Sequence, residues 1–434
     1  MSRTSQRPAS PTPPVALSPG SSVRDHVVAA LCSAVLLVGG VKGSPALAAV
    51  PVDLTIALAA AACVGAGLHL APRLGVVRVP LGAVVVVASL LPGALVEVPH
   101  GYQGAKLAGM ALTLVVVATS VVLLSTRRRR RLWLAWTAGW GLATVAALQV
   151  LPRDESQWGR AVLEGSNTIA AGRATATAAL ILGAVLVLPG RRPRGRLLAG
   201  TVVASLAAVA TGSRGPVLAA AVALVVVALV VREGRRRRVA GLAAALVAAG
   251  VGVVVSDSPG AERLGLVLTG HVTGAEARLP LWRAAVRALR DGGPGGTGWG
   301  GFVTVLEVSE AVPSSGDRQY AHNVVLEAFV EGGWPAGAAL LTVVVASLVR
   351  LLRRARHGTG GLGGVDGVAV VLLGVAVSAV LNASVSGDLT GNRLAWVALA
   401  LAWSGPSAAR PAPLARGATT TGRARSHLLY AGQP

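Results

Sequence analysis

Long apolar stretches alternate with short polar segments along almost the whole chain. Runs dominated by Ala, Val, Leu and Gly recur at roughly 17 to 20 residues, about the length of helix that crosses a bilayer. The pattern predicts an all-α fold, a polytopic transmembrane helical bundle of about 12 spans. The predicted spans are residues 25–41, 52–71, 79–97, 105–124, 132–150, 174–189, 197–212, 216–231, 239–256, 334–349, 367–384 and 394–404.

The polar segments divide the chain into five predicted parts. A Pro- and Ser-rich tail, 1–23, and a second tail, 405–434, are expected to be disordered and cytoplasmic. Helices one to nine occupy 24–256, a large extracytoplasmic loop with short amphipathic helices occupies 257–333, and helices ten to twelve occupy 334–404. The first apolar run ends in SPALAAV, which resembles a signal-peptide cleavage site. We expect this helix to be retained, with cleavage as the alternative.

The charge distribution decides how the basic composition is interpreted. Hydrophobic residues make up 53% of the chain, yet the formal net charge is +22, which raises the possibility of nucleic-acid binding. If the N-terminus is cytoplasmic, the cytoplasmic segments hold 27 of the 40 Lys and Arg residues, including the run 127–131. Cytoplasmic loops of membrane proteins carry such an excess, which also favours anionic lipid. We therefore predict a multi-pass cell-membrane protein with both termini cytoplasmic, membrane lipid as a partner and no nucleic acid.

Polar residues with potential chemistry cluster in the connections predicted to face outwards. These connections are 151–173, 211–216, 257–333 and 386–393. Ionisable residues are rare inside the spans, which argues against an ion-coupled transporter, because a proton or ion relay must cross the middle of the bilayer. Cys32 and Cys63 lie in apolar runs and are expected to be buried, so no metal site or cofactor is predicted.

The large loop contains one segment with helical periodicity, RLPLWRAAVRALRD at 278–291. Leu279, Trp282, Val286 and Leu289 share one predicted stripe. A second stripe consists of Arg283, Arg287 and Arg290. The helix is expected either to lie on the membrane with its arginines near lipid phosphates or to act as a lid over an anionic substrate.

A glycine-rich stretch, DGGPGGTGWGGF at 291–302, follows this helix. It satisfies GxGxxG, but no strand precedes it and no helix clearly follows, so a dinucleotide site is not predicted. We expect a flexible or tight turn in which the glycines permit close backbone approach.

Arg214 lies in TGSRGP, between two apolar runs, with Pro216 suited to the start of the next helix. An arginine at the centre of a span costs about 2.5–3.5 kcal/mol on insertion scales, so Arg214 is expected at the boundary or in a hydrated cavity. There it either snorkels to the interface or binds a phosphate in the forked geometry of guanidinium.

Taken in order, four segments resemble the O-antigen ligase and O-antigen polymerase family of membrane glycosyltransferases. The segments are GRAVLEGSNTIAAGR, TGSRGPVLA, EARLPLWRAAVRALRDGGPGGTGWGGF and YAHNVVLEAFVEGGWPAGAALL, which together span 159–342. The resemblance implies transfer of a glycan from a polyprenyl-diphosphate carrier to an acceptor hydroxyl on the outer face, without a metal or cofactor. The implied acceptor is a polysaccharide, a wall glycan or a protein. In the family, the segment aligned with GSNTIAAGR often carries an Asn-Pro pair, whereas Thr168 follows Asn167 here.

The resemblance also implies roles for individual residues. Arg214 and Arg278 would bind the diphosphate, and His322 would serve as base toward the acceptor hydroxyl. The remaining residues implied to bind substrate are Arg160, Arg173, Asn323, Glu327 and Tyr320. Glu327 shares a helix face with Glu331, and the two would either orient arginines or bind sugar.

Two other classes of function stay open at this point. One is an exporter or flippase of a lipid-linked glycan or small molecule, in which the arginines guide passage. The other is a noncatalytic membrane scaffold, which would tolerate loss of His322 but not disruption of the helix at 278–291.

Overall fold

The computed structural model describes residues 22–40, 52–70, 81–98, 102–154, 160–164, 166–188, 194–231, 278–291, 293–307, 320–357 and 366–404, together with positions 45 and 50. The described residues are all-α, as the sequence predicts, with one isolated β-bridge between Arg153 and Leu163. Both predicted tails and residues 257–277 lie almost wholly outside this range, so the five-part division stays a prediction.

Thirteen α-helices occur within the described residues. They are α1 (Ser22–Leu37), α2 (Leu54–Leu70), α3 (Leu81–Leu95), α4 (Tyr102–Leu123), α5 (Arg127–Val150), α6 (Thr168–Val187), α7 (Arg194–Ala210), α8 (Arg214–Val230), α9 (Arg278–Asp291), α10 (Phe302–Glu307), α11 (Val324–His357), α12 (Gly367–Ser386) and α13 (Arg393–Leu401). Eleven of them overlap a predicted span, and the span predicted at 239–256 lies outside the described residues. Four helices, α4, α6, α11 and α12, are long and apolar enough to cross a membrane. The count of twelve crossings stays a prediction.

Two helices form the centre of the bundle. Helices α6 and α12 are the most buried of the four long apolar helices, and both contact α8. Small residues permit this close packing: a Cβ on Gly374 of α12 would lie 2.9 Å from Val227 of α8. In a membrane, such small-residue contacts supply the van der Waals packing that holds helices together.

Many arginines gather at one end of the bundle. Arg129 donates to Asp25 at 2.7 Å, and Arg127 pairs with Asp366, the N-cap of α12, at 2.8 Å. Further contacts at this end are Arg130 with Ser404 and Arg350 with Ala402. The opposite end of α12, at Ser386, contacts the candidate site. A 20-residue helix is about 30 Å long, so the arginine blocks and the site lie at opposite ends of the bundle.

Helix α11 bends where its two halves meet. Gly333 has φ 79° and ψ −178°, outside helical geometry, so a short helix from Val324 precedes the longer apolar half. The glycine-rich stretch fits against this bend: Thr297 N–H donates to the Val330 carbonyl at 2.8 Å, and Trp299 N–H donates to the Gly93 carbonyl at 3.1 Å. The expected tight turn with close backbone approach is therefore confirmed. The short helix α10 follows it, a feature that the sequence did not predict.

Helix α9 packs against the protein through small residues and leaves part of its apolar stripe exposed. Leu279 and Val286 are exposed, whereas Ala284 and Ala285 are buried. The predicted helix is confirmed, and its small residues Ala284 and Ala285 pack with Ala321. Contact of the apolar stripe with the membrane stays a prediction. The side chains of the second stripe, Arg283, Arg287 and Arg290, are exposed.

Candidate functional site

Four separate segments bring most of the sequence-predicted site residues together. They are the start of α6, the turn 211–214 before α8, the start of α9, and residues 320–323 before α11. Arg278 interacts electrostatically with Arg214, Tyr320 and His322. Helix α9 is held there because the Trp282 indole N–H donates to the Ala321 carbonyl at 3.0 Å.

His322 occupies an unusual backbone position. Its φ of 50° makes it the one non-glycine residue with positive φ among the described residues. Residues in sparsely populated conformations cost about 1–3 kcal/mol and cluster at functional sites. Its Nδ1 atom is buried and has no hydrogen-bond partner within the described part of the chain. The Tyr320 ring lies against the imidazole, with centroids 4.3 Å apart.

Electrostatics favour the neutral form of His322. Burial lowers the pKa of the imidazole below its ordinary 6.5, the positive charge of Arg278 lowers it further, and Asp388 opposes the shift. Burial also lowers the pKa of Arg278 and raises that of Tyr320. The imidazole is thus able to accept a proton near neutral pH.

Asn323 follows His322 and is the last residue before α11. Its side-chain oxygen accepts from Val325 N–H at 3.0 Å and Leu326 N–H at 3.2 Å, which caps the first turn of α11. This is the usual function of an asparagine at a helix N-terminus. Its predicted role in substrate binding must therefore coexist with a structural one.

Arg173 is anchored from two sides. It donates to the Ser386 carbonyl, and the Asn382 amide oxygen, oriented to satisfy both groups, accepts from Arg173 Nε at 2.5 Å. Arg173 also borders a cavity of about 120 Å³, together with Asn382 and Asn392. It also interacts electrostatically with Tyr320 and Asp388. Much of its guanidinium is consequently occupied by protein acceptors.

Arg160 packs against the turn that precedes Arg214. A Cβ on Gly212, whose φ is 66°, would lie 3.4 Å from Arg160 Cδ. The Arg160 Nε atom is buried without a hydrogen-bond partner among the described residues. Arg160 is therefore connected to the cluster through its contact with this turn.

Glu327 is placed differently from the prediction. It is fully buried and pairs with Lys106 of α4, which also lies 3.4 Å from Glu331. A buried, paired carboxylate is not presented to a sugar, so the structure places Glu327 as an anchor of the site segments. The physical reason is that a buried charge requires a partner of opposite sign.

Sequence reasoning missed several residues around the cluster. Asp388 and Asn382 lie beside Arg173, and Lys106 completes the buried acidic pair. Asp388 could have been found from the sequence, because the segment 386–393 was grouped with the connections predicted to face outwards. No feature of the sequence pointed to Lys106, because its position near a helix end resembles that of a snorkelling lysine.

The fold and this cluster define a helical membrane protein in which arginines and one histidine can bind an anionic ligand. Residues 199–341 match the family model described as O-Antigen ligase. This range contains Arg214, Arg278, His322 and their neighbours, whereas Arg160 and Arg173 precede it. The resemblance to the O-antigen ligase family is confirmed over this range, and it supports a ligase- or polymerase-type function in polysaccharide biosynthesis. Comparison with curated proteins found no match.

Proposed function

We propose that this protein transfers a glycan from a polyprenyl-diphosphate carrier to an acceptor hydroxyl on the extracytoplasmic face of the membrane. One observation carries the proposal. Arg214, Arg278 and His322 come from three separate segments of the range that matches the O-antigen ligase family, and they lie in one cluster.

Two guanidinium groups suit the leaving group. Arg214 and Arg278 lie close enough to repel each other, and an anionic ligand between them would relieve that repulsion. As the glycosidic bond breaks, negative charge grows on the diphosphate oxygens. Arginines bind such oxygens through forked, charge-assisted hydrogen bonds and so favour the transition state.

His322 suits the role of base toward the acceptor. The acceptor hydroxyl transfers its proton to the imidazole while its oxygen forms the new glycosidic bond. The bond to the carrier breaks, and its electron pair leaves on the polyprenyl diphosphate. The lowered pKa of His322 keeps the imidazole neutral and available at neutral pH.

The neighbouring residues have supporting roles in this reaction. Tyr320 would stack on a sugar ring, and Arg160 and Arg173 would shape the anionic site. Arg173 acts mainly through its contacts with Ser386 and Asn382. The acceptor is a growing polysaccharide, a wall glycan or a protein, and the reaction is metal-independent.

The proposed orientation follows from the two ends of the bundle. Cytoplasmic loops carry an excess of arginine. The end with Arg127, Arg129 and Arg130 is therefore assigned to the cytoplasm, and the site to the outer side, with about twelve crossings between them.

The test follows the leaving group. Purified protein in nanodiscs is incubated with polyprenyl-diphosphate oligosaccharides and acceptors from the native host, with EDTA present, and free polyprenyl diphosphate is measured by mass spectrometry. We expect release that survives chelation and is lost in His322→Gln. No release across the native donor and acceptor pool would overturn the proposal in favour of an exporter, which proteoliposomes would then reveal by substrate movement.

A further inference from the structure

Lys106, Glu327 and Glu331 form a buried charged cluster that the proposed reaction does not use. All three side chains are fully buried. Lys106 belongs to α4, whereas the two glutamates lie one turn apart on α11. Since removing one partner would leave an uncompensated buried charge, the cluster fixes α4 against the short half of α11.

The two glutamates also accept hydrogen bonds from two other segments, Glu327 through the oxygen that does not face Lys106 and Glu331 through the one that does. Glu327 Oε2 accepts from Leu389 N–H at 3.1 Å, and Glu331 Oε2 accepts from Gly300 N–H at 3.0 Å. One side chain, Glu327, therefore joins α4, α11 and the segment 387–392.

This segment matters because Asp388 precedes Leu389. The negative charge of Asp388 acts on His322, where it opposes the effects of burial and of Arg278. Asp388 is itself held in a local turn, because it accepts from Thr390 Oγ1 at 2.5 Å and from Gly391 N–H at 2.8 Å. The Leu389 amide, which donates to Glu327, attaches this whole turn to the buried charged cluster.

The same glutamate is tied to the His322 side of the site. Glu327 N–H donates to the Asn323 carbonyl at 2.8 Å, in the first turn of α11, directly after His322. Glu327 thus connects the backbone beside His322 with the backbone beside Asp388.

We propose that Glu327, fixed by Lys106, is a positioning residue that holds the segment 387–392, and with it Asp388, in its position relative to His322. The inference rests on the proposed function of His322 as base. Charged and titratable groups that face His322 are Arg278 on α9, Asp388 on the 387–392 segment, and Tyr320 on the preceding backbone. Loosening the segment withdraws the one negative charge among them.

Two substitutions of Glu327 separate positioning from charge. Glu327→Gln and Glu327→Leu remove the same charge and leave Lys106 with Glu331 as its partner. Glutamine keeps an oxygen that can accept from Leu389 N–H, whereas leucine has none. If Glu327→Leu does not yield folded protein, Glu327→Met replaces it, since methionine is unbranched and also lacks a comparable acceptor.

The first measurement is hydrogen–deuterium exchange of peptides that cover 386–392, on the full chain in nanodiscs. We expect exchange at least about tenfold faster in Glu327→Leu than in Glu327→Gln, because the Leu389 amide loses its partner. Equal exchange in the two variants would overturn the proposal without reference to activity.

The second measurement is release of polyprenyl diphosphate as a function of pH. Relative to Glu327→Gln, Glu327→Leu should reduce kcat by about ten- to a hundredfold, the effect of a small displacement within the site, here of the charge that acts on His322. Donor KM should not change. The acid limb of the pH profile, where activity falls as His322 becomes protonated, should move to lower pH, because the negative charge of Asp388 no longer favours the protonated imidazole. Faster exchange together with an unchanged kcat and an unchanged acid limb would show that Glu327 does not position Asp388 for the reaction. The proposed function would still stand. Full activity of His322→Gln would instead contradict the assignment of His322 as base, and this inference would fail with it.

Discussion

Arg278, at the first turn of α9, acts electrostatically on His322, just before α11, and lowers the pKa of its imidazole in addition to the effect of burial. The two residues come from different segments of the chain, and the Trp282 to Ala321 hydrogen bond holds those segments together. A cation beside a base has two consequences: it can bind an anionic substrate, and it keeps the base unprotonated.

The pH dependence of the reaction should reflect this arrangement. Only neutral His322 can accept the hydroxyl proton, and its pKa lies below the ordinary 6.5. We therefore expect kcat/KM to be constant around neutral pH and to fall only when the pH drops through the lowered pKa. A profile in which half of the activity is already lost above pH 6.5 would contradict the assignment of His322 as base.

Removing the charge of Arg278 should move that acid limb. In Arg278→Gln, burial still lowers the pKa of His322 but the cationic contribution is gone, so the limb should shift to higher pH. Arg287→Gln is the matched control, since Arg287 lies on the same helix with its side chain exposed. The control should leave the limb unchanged, and equal profiles for both variants would show that Arg278 does not act on the base.

Arg214 should affect donor binding and turnover together. Loss of a hydrogen bond to a charged group costs about 1.5–3 kcal/mol. At about 1.4 kcal/mol per tenfold change, Arg214→Gln should reduce kcat/KM for the donor by roughly ten- to a hundredfold. Arg214→Lys should recover only part of this loss, because lysine lacks the forked geometry. Steady-state kinetics of polyprenyl diphosphate release checks both variants, and full recovery by lysine would argue against bidentate binding.

Much of the architecture could be predicted from the sequence because apolar run length and arginine placement are one-dimensional signals. The same signals grouped the connections at 151–173, 211–216 and 386–393, whose ends the structure brings together around Arg173 and Arg214. The cluster could be anticipated to this extent because neighbouring helix ends on one face must lie near each other.

The contacts within the cluster could not be predicted in this way. The pairing of Lys106 with Glu327 joins residues far apart in sequence, and neither the spacing nor the composition of either segment indicates its partner. The face of α9 that packs against the protein could not be predicted for a related reason. Large apolar residues dominate a hydrophobic stripe, yet the close approach to Ala321 selects Ala284 and Ala285.

Gly333 should be indispensable for the bend in α11. Its φ of 79° is costly for any residue with a side chain, by about 1–3 kcal/mol. In addition, a Cβ there would collide with the Pro294 carbonyl. Gly333→Ala should therefore lower the thermal stability of the purified protein. Gly139→Ala, in α5 with open space around the added methyl group, should be neutral or stabilising by about 0.5–1 kcal/mol. Equal melting temperatures would show that the bend is not required.

The orientation of the bundle can be tested with two single cysteines. Cys32→Ala and Cys63→Ala give a background without thiols, because these are the two cysteines of the chain. Arg283→Cys lies at the site end and Arg353→Cys at the arginine end, and both positions are exposed. In spheroplasts, a membrane-impermeant maleimide should label the first directly and the second only after permeabilisation, because arginine blocks are retained in the cytoplasm. The reverse pattern would place His322 on the cytoplasmic side, where a polyprenyl-linked donor presented outside could not reach it, and would remove the proposed reaction.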